Sequence, residues 1–504
     1  MALLACILPA HPAAARSLSK GQKPYRTAPG RLIVKLRPDV VAAMDDGANG
    51  LRFTRQAGLP NAGVYSILDG SDVHAKAREV SQLPAVEFAE PDYLVRVDWV
   101  PNDSLLKAQW HHSTISSQVA WDGSRGSGEI KVCHIDSGIR TDHPDLAGRV
   151  FAGWNLDFDA DSPSPDSPAY KDINDTYGHG THTAGIIAAV GNNALGVAGV
   201  AMDVKLLVCR FIWDDGFGSI SDALECLRLC REEGATVSTN SWGGVPQSKA
   251  IDAALREIKA AGMLFVVAAG NQGTDLDARP AFPASSEMDN MIVVGASTRA
   301  DDLSSFSNHG RSTVHMLSPG EQILSTTYNN WYGAMDGTSM ACPLVAASAA
   351  LLQSAALSQG VQLSYDQVKR LLLSTVDPSP GKGATATITG GRLNIGAAMQ
   401  ALSLLLQQQG QPALPGMALE AAAQDDLRRT MLQNEWGQEL LQAGGDGSED
   451  DPDVESSSLS ATEEQEQQQQ EPDEEQAEEA EPLSEASRAE GRRRLKDRLF
   501  PPAG

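Results

Sequence analysis

Between Ile130 and about Leu404 the chain repeats one pattern: short runs of Val, Ile and Leu, each followed by a segment of helical period. The clearest runs are IKVCHID (Ile130 to Asp136), VKLLVCRF (Val204 to Phe211), ATVSTNSW (Ala235 to Trp242), MLFVVAAGN (Met263 to Asn271) and MIVVGAS (Met291 to Ser297). These runs are apolar nearly throughout rather than alternating, so neither face of such strands is suited to water. This predicts a parallel sheet covered by helices on both faces. Two intervening helices are bounded by their own stop signals, Ser219 to Glu233 before Gly234 and Ser248 to Ala261 before Gly262.

The flanks read differently. A small α+β unit is expected over about 24–100, carried by the alternating run RLIVKLRP and by VEFAEPDYLVRV. Met1 to Ala15 is apolar and ends in small residues, as a secretory signal does, but no Lys or Arg precedes the apolar run and Pro9 and Pro12 interrupt it. A signal peptide and a disordered start are both open readings. Removal of this segment takes Cys6 and leaves five cysteines, so at least one thiol stays unpaired within a single chain.

Residues 405–445 read as a linker with a weak helix, and 446–504 as a disordered acidic tail with a basic end, RRRLKDR. Asp446 to Glu485 holds 17 acidic residues and no basic one, most of the excess behind the formal net charge of −25. That balance argues against nucleic acid or an anionic membrane as the main partner. Met340 to Leu357 is uncharged and apolar, but it is rich in Ala and Ser and has Pro343 in its first turn. A buried core helix suits it better than a membrane span.

In an open α/β sheet, functional groups collect at the carboxyl ends of the strands. Asp136 with Ser137 and Gly138, Ser241 to Gly244, and Gly270 with Asn271 lie at three such ends. A carboxylate ending a buried strand needs a partner, and histidine is the obvious one. Two helices supply the rest: HGTHTAGIIAAV from His179 and GTSMACPLVAASAALL from Gly337, the latter placing Ser339 at a helix N-terminus that favours developing negative charge. Acid, imidazole and hydroxyl are then available together. Any one alone would read as an ordinary turn or cap residue.

With these motifs in order, IDSGI (Ile135 to Ile139), HPDL (His143 to Leu146), HGTHTAG (His179 to Gly185), NSWGG (Asn240 to Gly244), AAGNQG (Ala268 to Gly273) and GTSMACP (Gly337 to Pro343), the chain resembles the subtilisin-like serine proteases (subtilase family) from about Asn102 to Leu404. The resemblance implies a subtilisin-like α/β catalytic domain over 101–404 and a serine endopeptidase acting on polypeptide substrates. It implies Ser339 as nucleophile, His179 as general base and acid, Asp136 as its orienting carboxylate, and Asn271 as an oxyanion donor. Ser241, Trp242 and Gly243 would offer backbone to a substrate strand. The family commonly has His after the proline of the serine motif and Gly three residues later; Leu344 and Ala347 stand there, and both bear on helix packing rather than chemistry.

The resemblance further implies that 24–100 is an inhibitory propeptide, with self-cleavage between Tyr93 and Asp103; secretion is expected if Met1 to Ala15 acts as a signal. A separate adaptor domain is the alternative for 24–100. No cofactor is implied for the chemistry. Calcium is implied for stability, held by Asp145, Asn193 and the carbonyls of Leu195 and Val197, with Asp103 as a further carboxylate; a plain turn at Asn192-Asn193 is the competing reading. Asp275 and Asp277 lie close enough to Asn271 in sequence to favour basic substrates.

Other features carry less. DFDAD (Asp157 to Asp161) lacks the glycine and terminal Glu of an EF-hand and reads as a solvated acidic loop. Cys226 and Cys230 at helical i, i+4 spacing read as core thiols, and Cys342 as a buried filler. A metalloprotease using His179 and His182 lacks the HExxH arrangement. A catalytically silent scaffold with the same fold remains the non-enzyme alternative.

Overall fold

The computed structural model describes residues 27–38, 47–94, 99–156, 167–417, 419 and 421–443. The Met1–Ala15 leader, the DFDAD loop and the acidic tail lie outside the described residues, as do 95–98 of the expected self-cleavage window.

Residues 27–94 form an α+β module, as the alternating runs predict. Strands β1 (Thr27–Leu36), β2 (Leu51–Gln56), β3 (Ala62–Ile67) and β4 (Val86–Tyr93) pair in the order β2-β3-β1-β4, with β1 antiparallel to both β3 and β4. A helix over Val73–Ser81, capped by Asp72 through Ala75 N–H at 2.8 Å, closes the module's own core of Leu32, Val34, Leu51, Val80 and Val86.

The remaining strands are β5 (Lys131–Asp136), β6 (Val150–Asn155), β7 (Lys205–Arg210), β8 (Val237–Asn240), β9 (Leu264–Ala268), β10 (Met291–Ser297), β11 (Met316–Pro319), β12 (Ile323–Thr327), β13 (Trp331–Met335), β14 (Asp377–Pro378) and β15 (Gly391–Arg392). Among the described residues, nine of them form one sheet in the order β14-β15-β11-β10-β9-β8-β5-β7-β6, parallel except for β14, while β12 and β13 make a separate hairpin. All residues of β9 and β10 are buried, which is why their sequences show no alternation. The chain enters the sheet centrally at β5, builds β6 and β7 on one side, then crosses to β8 and onward on the other. That reversal opens a crevice at the carboxyl end of β5, where Asp136 sits.

Helices cover both faces. Ser219 and Ser248 cap the helices Ile220–Glu232 and Lys249–Ala260, within a residue or two of the sequence expectation. On the other face the helix Thr338–Leu357 runs inside the core, 94% buried over its apolar window, so it is a core helix and not a span. Leu344 and Ala347 are fully buried there, so both departures from the family pattern are filled packing positions. Pro343 lacks the N–H that would bond the Ser339 carbonyl one turn back, and that carbonyl accepts from Ser241 Oγ at 3.0 Å instead.

Two sequence expectations are corrected. Cys226 and Cys230 are not free core thiols: they form disulfides with Cys209 and Cys133, spanning 17 and 97 residues, and bind one helix to the adjacent strands β7 and β5. Cys342 is free and buried, as expected. Residues 405–445 are more than linker and weak helix. The helix Ile395–Gln408 continues into them, and Ala421–Met431 and Glu435–Ala443 follow, burying Met431 and Leu440 in the main core.

Candidate active site

Asp136 ends β5 with its carboxylate almost fully buried. Oδ1 bonds His179 Nδ1 at 2.8 Å and accepts from Ser137 N–H at 2.7 Å; Oδ2 accepts from Thr183 Oγ1 at 3.0 Å. Burial opposes its ionisation most strongly, but the charge and hydrogen bond of His179, the charge of His134 and the Ser137 N–H together outweigh this and hold its pKa below the usual carboxylate range. The converse holds for His179, which burial would discharge: Asp136, by charge and hydrogen bond, and then Asp175 by charge, raise its pKa above the ordinary value.

His179 is positioned by the first turn of its own helix, His179–Ala188. Asp175, four residues earlier, is buried and accepts from Ser137 Oγ, Tyr177 N–H and Gly178 N–H through Oδ1, and from Thr181 N–H and Oγ1 through Oδ2. Thr181 N–H is one of the open N–H groups at the helix start, and Ser137 Oγ accepts from a second, Gly180 N–H, at 2.8 Å, beside Gly178 with its positive φ of 99°. Gly180 packs on the Gly138 carbonyl so closely that a Cβ would collide with it. His182, one turn on, bonds the Gly333 carbonyl through Nε2 at 3.0 Å, so the two histidines of the motif serve different partners.

Ser339 is in the first turn of the buried helix, its Oγ 3.4 Å from the Ser241 carbonyl. Catalytic hydrogen bonds in a free enzyme are often long and tighten around substrate. Asn271 sits on the irregular turn after β9. Its Oδ1 accepts from Thr338 N–H and Thr338 Oγ1, both at 2.9 Å, which fixes the amide with Nδ2 outward. Gly337, at φ 152°, has no side chain to block the place where the donors meet. A Cβ there would stand 3.5 Å from both Asn271 Nδ2 and Ser339 N.

The segment Ser241–Gly244 divides two hollows. One, of about 170 Å³, is lined by Ala281, Pro283 and Asn308 and reaches Asn271 and Ser339; the other, of about 340 Å³, is lined by Phe211, Ile220 and Trp242 and reaches His179. Gly243 and Gly244 expose their backbone between them. Asp275 and Asp277, from which a basic preference was expected, do not line the first hollow. Asp277 accepts from Ser312 N–H and Thr313 Oγ1, and Asp275 from Asp277 N–H, so both carboxylates are held in turns. Among the described residues, no charged side chain lines that hollow.

The loop 191–197 folds onto Asp145, which is buried and accepts from Asn193 Nδ2 at 2.7 Å and Val197 N–H at 2.9 Å; Leu195 N–H bonds Asn193 Oδ1. Asp103 accepts from Asn192 N–H through Oδ2, while its buried Oδ1 has no hydrogen-bond partner among the described residues. Burial and the nearby charge of Asp145 raise its pKa.

Sequence reading missed Asp175 and Asn308. An acid just before a helix is a usable signal for Asp175, whereas SFSNHG around Asn308 reads as any turn.

The subtilase family pattern matches residues 127–411 of the chain. The chain is 34% identical over 360 residues to the thermophilic serine proteinase of Bacillus sp. (strain AK1), covering 70% of this chain and 84% of that protein. It is 34% identical over 303 residues to thermitase of Thermoactinomyces vulgaris, covering 60% of this chain and all of thermitase. Among solved structures, a protease of Pseudoalteromonas arctica superposes with a TM-score of 0.53 at 27% identity, over 60% of this chain and all of that one. A sheet entered at its centre, with Asp136 at the end of β5 holding His179, accords with these likenesses, and the chain belongs to the subtilase family of serine-type endopeptidases.

Proposed function

We propose that the chain hydrolyses peptide bonds through an acyl-enzyme on Ser339 Oγ. As Oγ attacks the scissile carbonyl, His179 Nε2 takes its proton, and the imidazolium is stabilised by Asp136. Negative charge moves to the carbonyl oxygen, which Asn271 Nδ2–H and Ser339 N–H receive without reorganisation. His179 returns the proton to the leaving amine as the C–N bond breaks, and water repeats the sequence to release the acid. The convergence of both donors beside Gly337 carries this reading. A substrate strand pairs with Ser241, Trp242 and Gly243, and the uncharged hollow beside Asn271 receives a neutral side chain.

The module within 24–100 acts as an intramolecular inhibitor, released by cleavage between Tyr93 and Asp103. Its support is a separate core, which lets it fold and then detach. Secretion is supported by the two disulfides, which persist in oxidising compartments. Calcium suits the loop at Asp145. Two buried carboxylates, Asp103 and Asp145, face the same loop, and the orphan Oδ1 of Asp103 adds an anionic oxygen there. Asp145, Asn193 through Oδ1 in place of the Nδ2 that now bonds Asp145, and the carbonyls of Leu195 and Val197 would hold the ion, and it would supply stability only.

Intact masses of the wild type and Ser339→Ala, both expressed as the full chain, test nucleophile and propeptide together. Loss of about 100 N-terminal residues by the wild type alone supports self-maturation. Equal cutting of both removes it.

A further inference from the structure

Asn271 stands on a turn, Ala269 to Thr274, that belongs to no helix or strand, so its backbone groups need partners from elsewhere. Four of these groups are satisfied by one residue. Asn308, 1% exposed, accepts through Oδ1 from Gln272 N–H at 3.0 Å and Thr274 N–H at 2.9 Å. Through Nδ2 it donates to the Ala269 carbonyl at 2.8 Å and to Gln272 Oε1 at 3.0 Å, and its backbone N–H donates to the Gly270 carbonyl at 2.9 Å. Asn308 is itself anchored to β10, since Ser307 Oγ accepts from Ala296 N–H and donates to the Asn308 carbonyl. A Cβ at Gly270 would approach Asn308 Nδ2 to 2.5 Å, so the turn closes on this amide only because residue 270 is glycine.

From this geometry we propose that Asn308 is a positioning residue for the hydrolysis, clamping the turn so that Asn271 Nδ2 stands where the oxyanion forms. The inference rests on the oxyanion reading of Asn271. An amide is required because the turn presents two donors and two acceptors to one side chain: a carboxylate lacks the donors, and a hydroxyl is too short for all four. Asn271 is held directly at its carboxamide by Thr338, and the backbone on either side of it, at Gly270 and Gln272, is held by Asn308; both attachments are needed because displacement of a catalytic group by about 1 Å can cost about 100-fold in rate.

The test is a double-mutant cycle on the mature enzyme with a peptide anilide substrate, comparing wild type, N271A, N308S and N271A/N308S, each with its thermal midpoint. The expected result is a fall of about 100-fold or more in kcat for N271A and about 10-fold or more for N308S, with KM changed less than about 3-fold. In the N271A background, N308S should cost less than about 3-fold further, because the group it positions is gone. A kcat for N308S within about 2-fold of wild type, or a loss that multiplies fully onto N271A, overturns the inference. If N271A alone leaves kcat unchanged, the oxyanion reading itself fails, a distinguishable outcome. If N308S does not fold, N308D replaces it: it keeps the acceptors for Gln272 and Thr274 and loses both donors, and the same non-additivity is required.

Discussion

Acidification should destabilise the catalytic domain over a window set by histidines before the carboxylates titrate. His111, His112, His134 and His182 are all essentially inaccessible to water. Burial, the largest cause in each case, drives their pKa values down, to about 4 for His112 and for His182. Both ring nitrogens of His111 lack partners, and one of His134 and of His182 does, so a proton added there would be a buried, poorly solvated charge.

An unfolded chain binds a proton at each histidine below about pH 6.5, whereas in the folded chain His112 and His182 do not until about pH 4 and His111 and His134 are shifted in the same direction, so stability is intact above 6.5 and falls as the pH drops. At pH 5 the difference is about 2 kcal/mol for each of His112 and His182, about 4 kcal/mol together. That is a large part of the roughly 5–15 kcal/mol of an ordinary domain and lowers the melting temperature by about 10 °C. His179 opposes this with one group, because its raised pKa stabilises the fold in acid. The assay is the melting temperature of Ser339→Ala, which cannot digest itself, at pH 7, 6, 5 and 4. His182→Gln keeps a donor for the Gly333 carbonyl but does not titrate, so the fall in stability between pH 6.5 and 5 should shrink by the share of that one histidine, about 2 kcal/mol. A melting temperature flat to pH 4.5, or an H182Q slope equal to that of the parent, refutes the reasoning.

Changing Asp136 to Asn should lower kcat by about 10⁴-fold with little change in fold, since the imidazole loses the partner that sets its tautomer; near wild-type turnover would contradict its role. The rate should rise with pH through a His179 pKa above the ordinary value, and Asp175→Asn, by removing a nearby negative charge, should move that limb to lower pH. An unmoved limb would show that Asp175 acts through helix capping alone. Removing the shorter disulfide with C209A/C226A should cost about 3 kcal/mol on the chain-entropy account, read as a lower denaturation midpoint; an unchanged midpoint would mean the bridge does not form. A peptide library should show preference for neutral over Lys or Arg side chains before the cut, as the uncharged hollow requires. Calcium chelation should lower the melting temperature of the wild type and not of Asp145→Asn; equal shifts in both would place any calcium elsewhere.

Much of the catalytic half was legible because its strands are buried on both sides. Met291–Ser297 is a strand with the bounds its apolar run implies. The motif residues could be placed because strand ends and helix starts are themselves marked, by Asp136 and Gly178 for example. Pairing across the sheet was not legible: Cys133 and Cys230 are 97 residues apart, and only the register of β5 beside the helix Ile220–Glu232 brings them together. Asp277 is near Asn271 in sequence, but a turn directs its carboxylate to Ser312 and Thr313. The helices after Ala421 look weak alone, and they hold because Met431 and Leu440 find a place in the main core.

The central claim is that Ser339 is the one nucleophile, activated by His179 and Asp136. The most direct test is to label the mature enzyme with a fluorophosphonate and map the adduct by mass spectrometry. The account predicts one adduct per chain, on the peptide carrying Ser339, with parallel loss of activity and far slower labelling of Asp136→Asn. Full inactivation with the adduct on another residue, or persistent proteolysis by an enzyme fully labelled at Ser339, would contradict it.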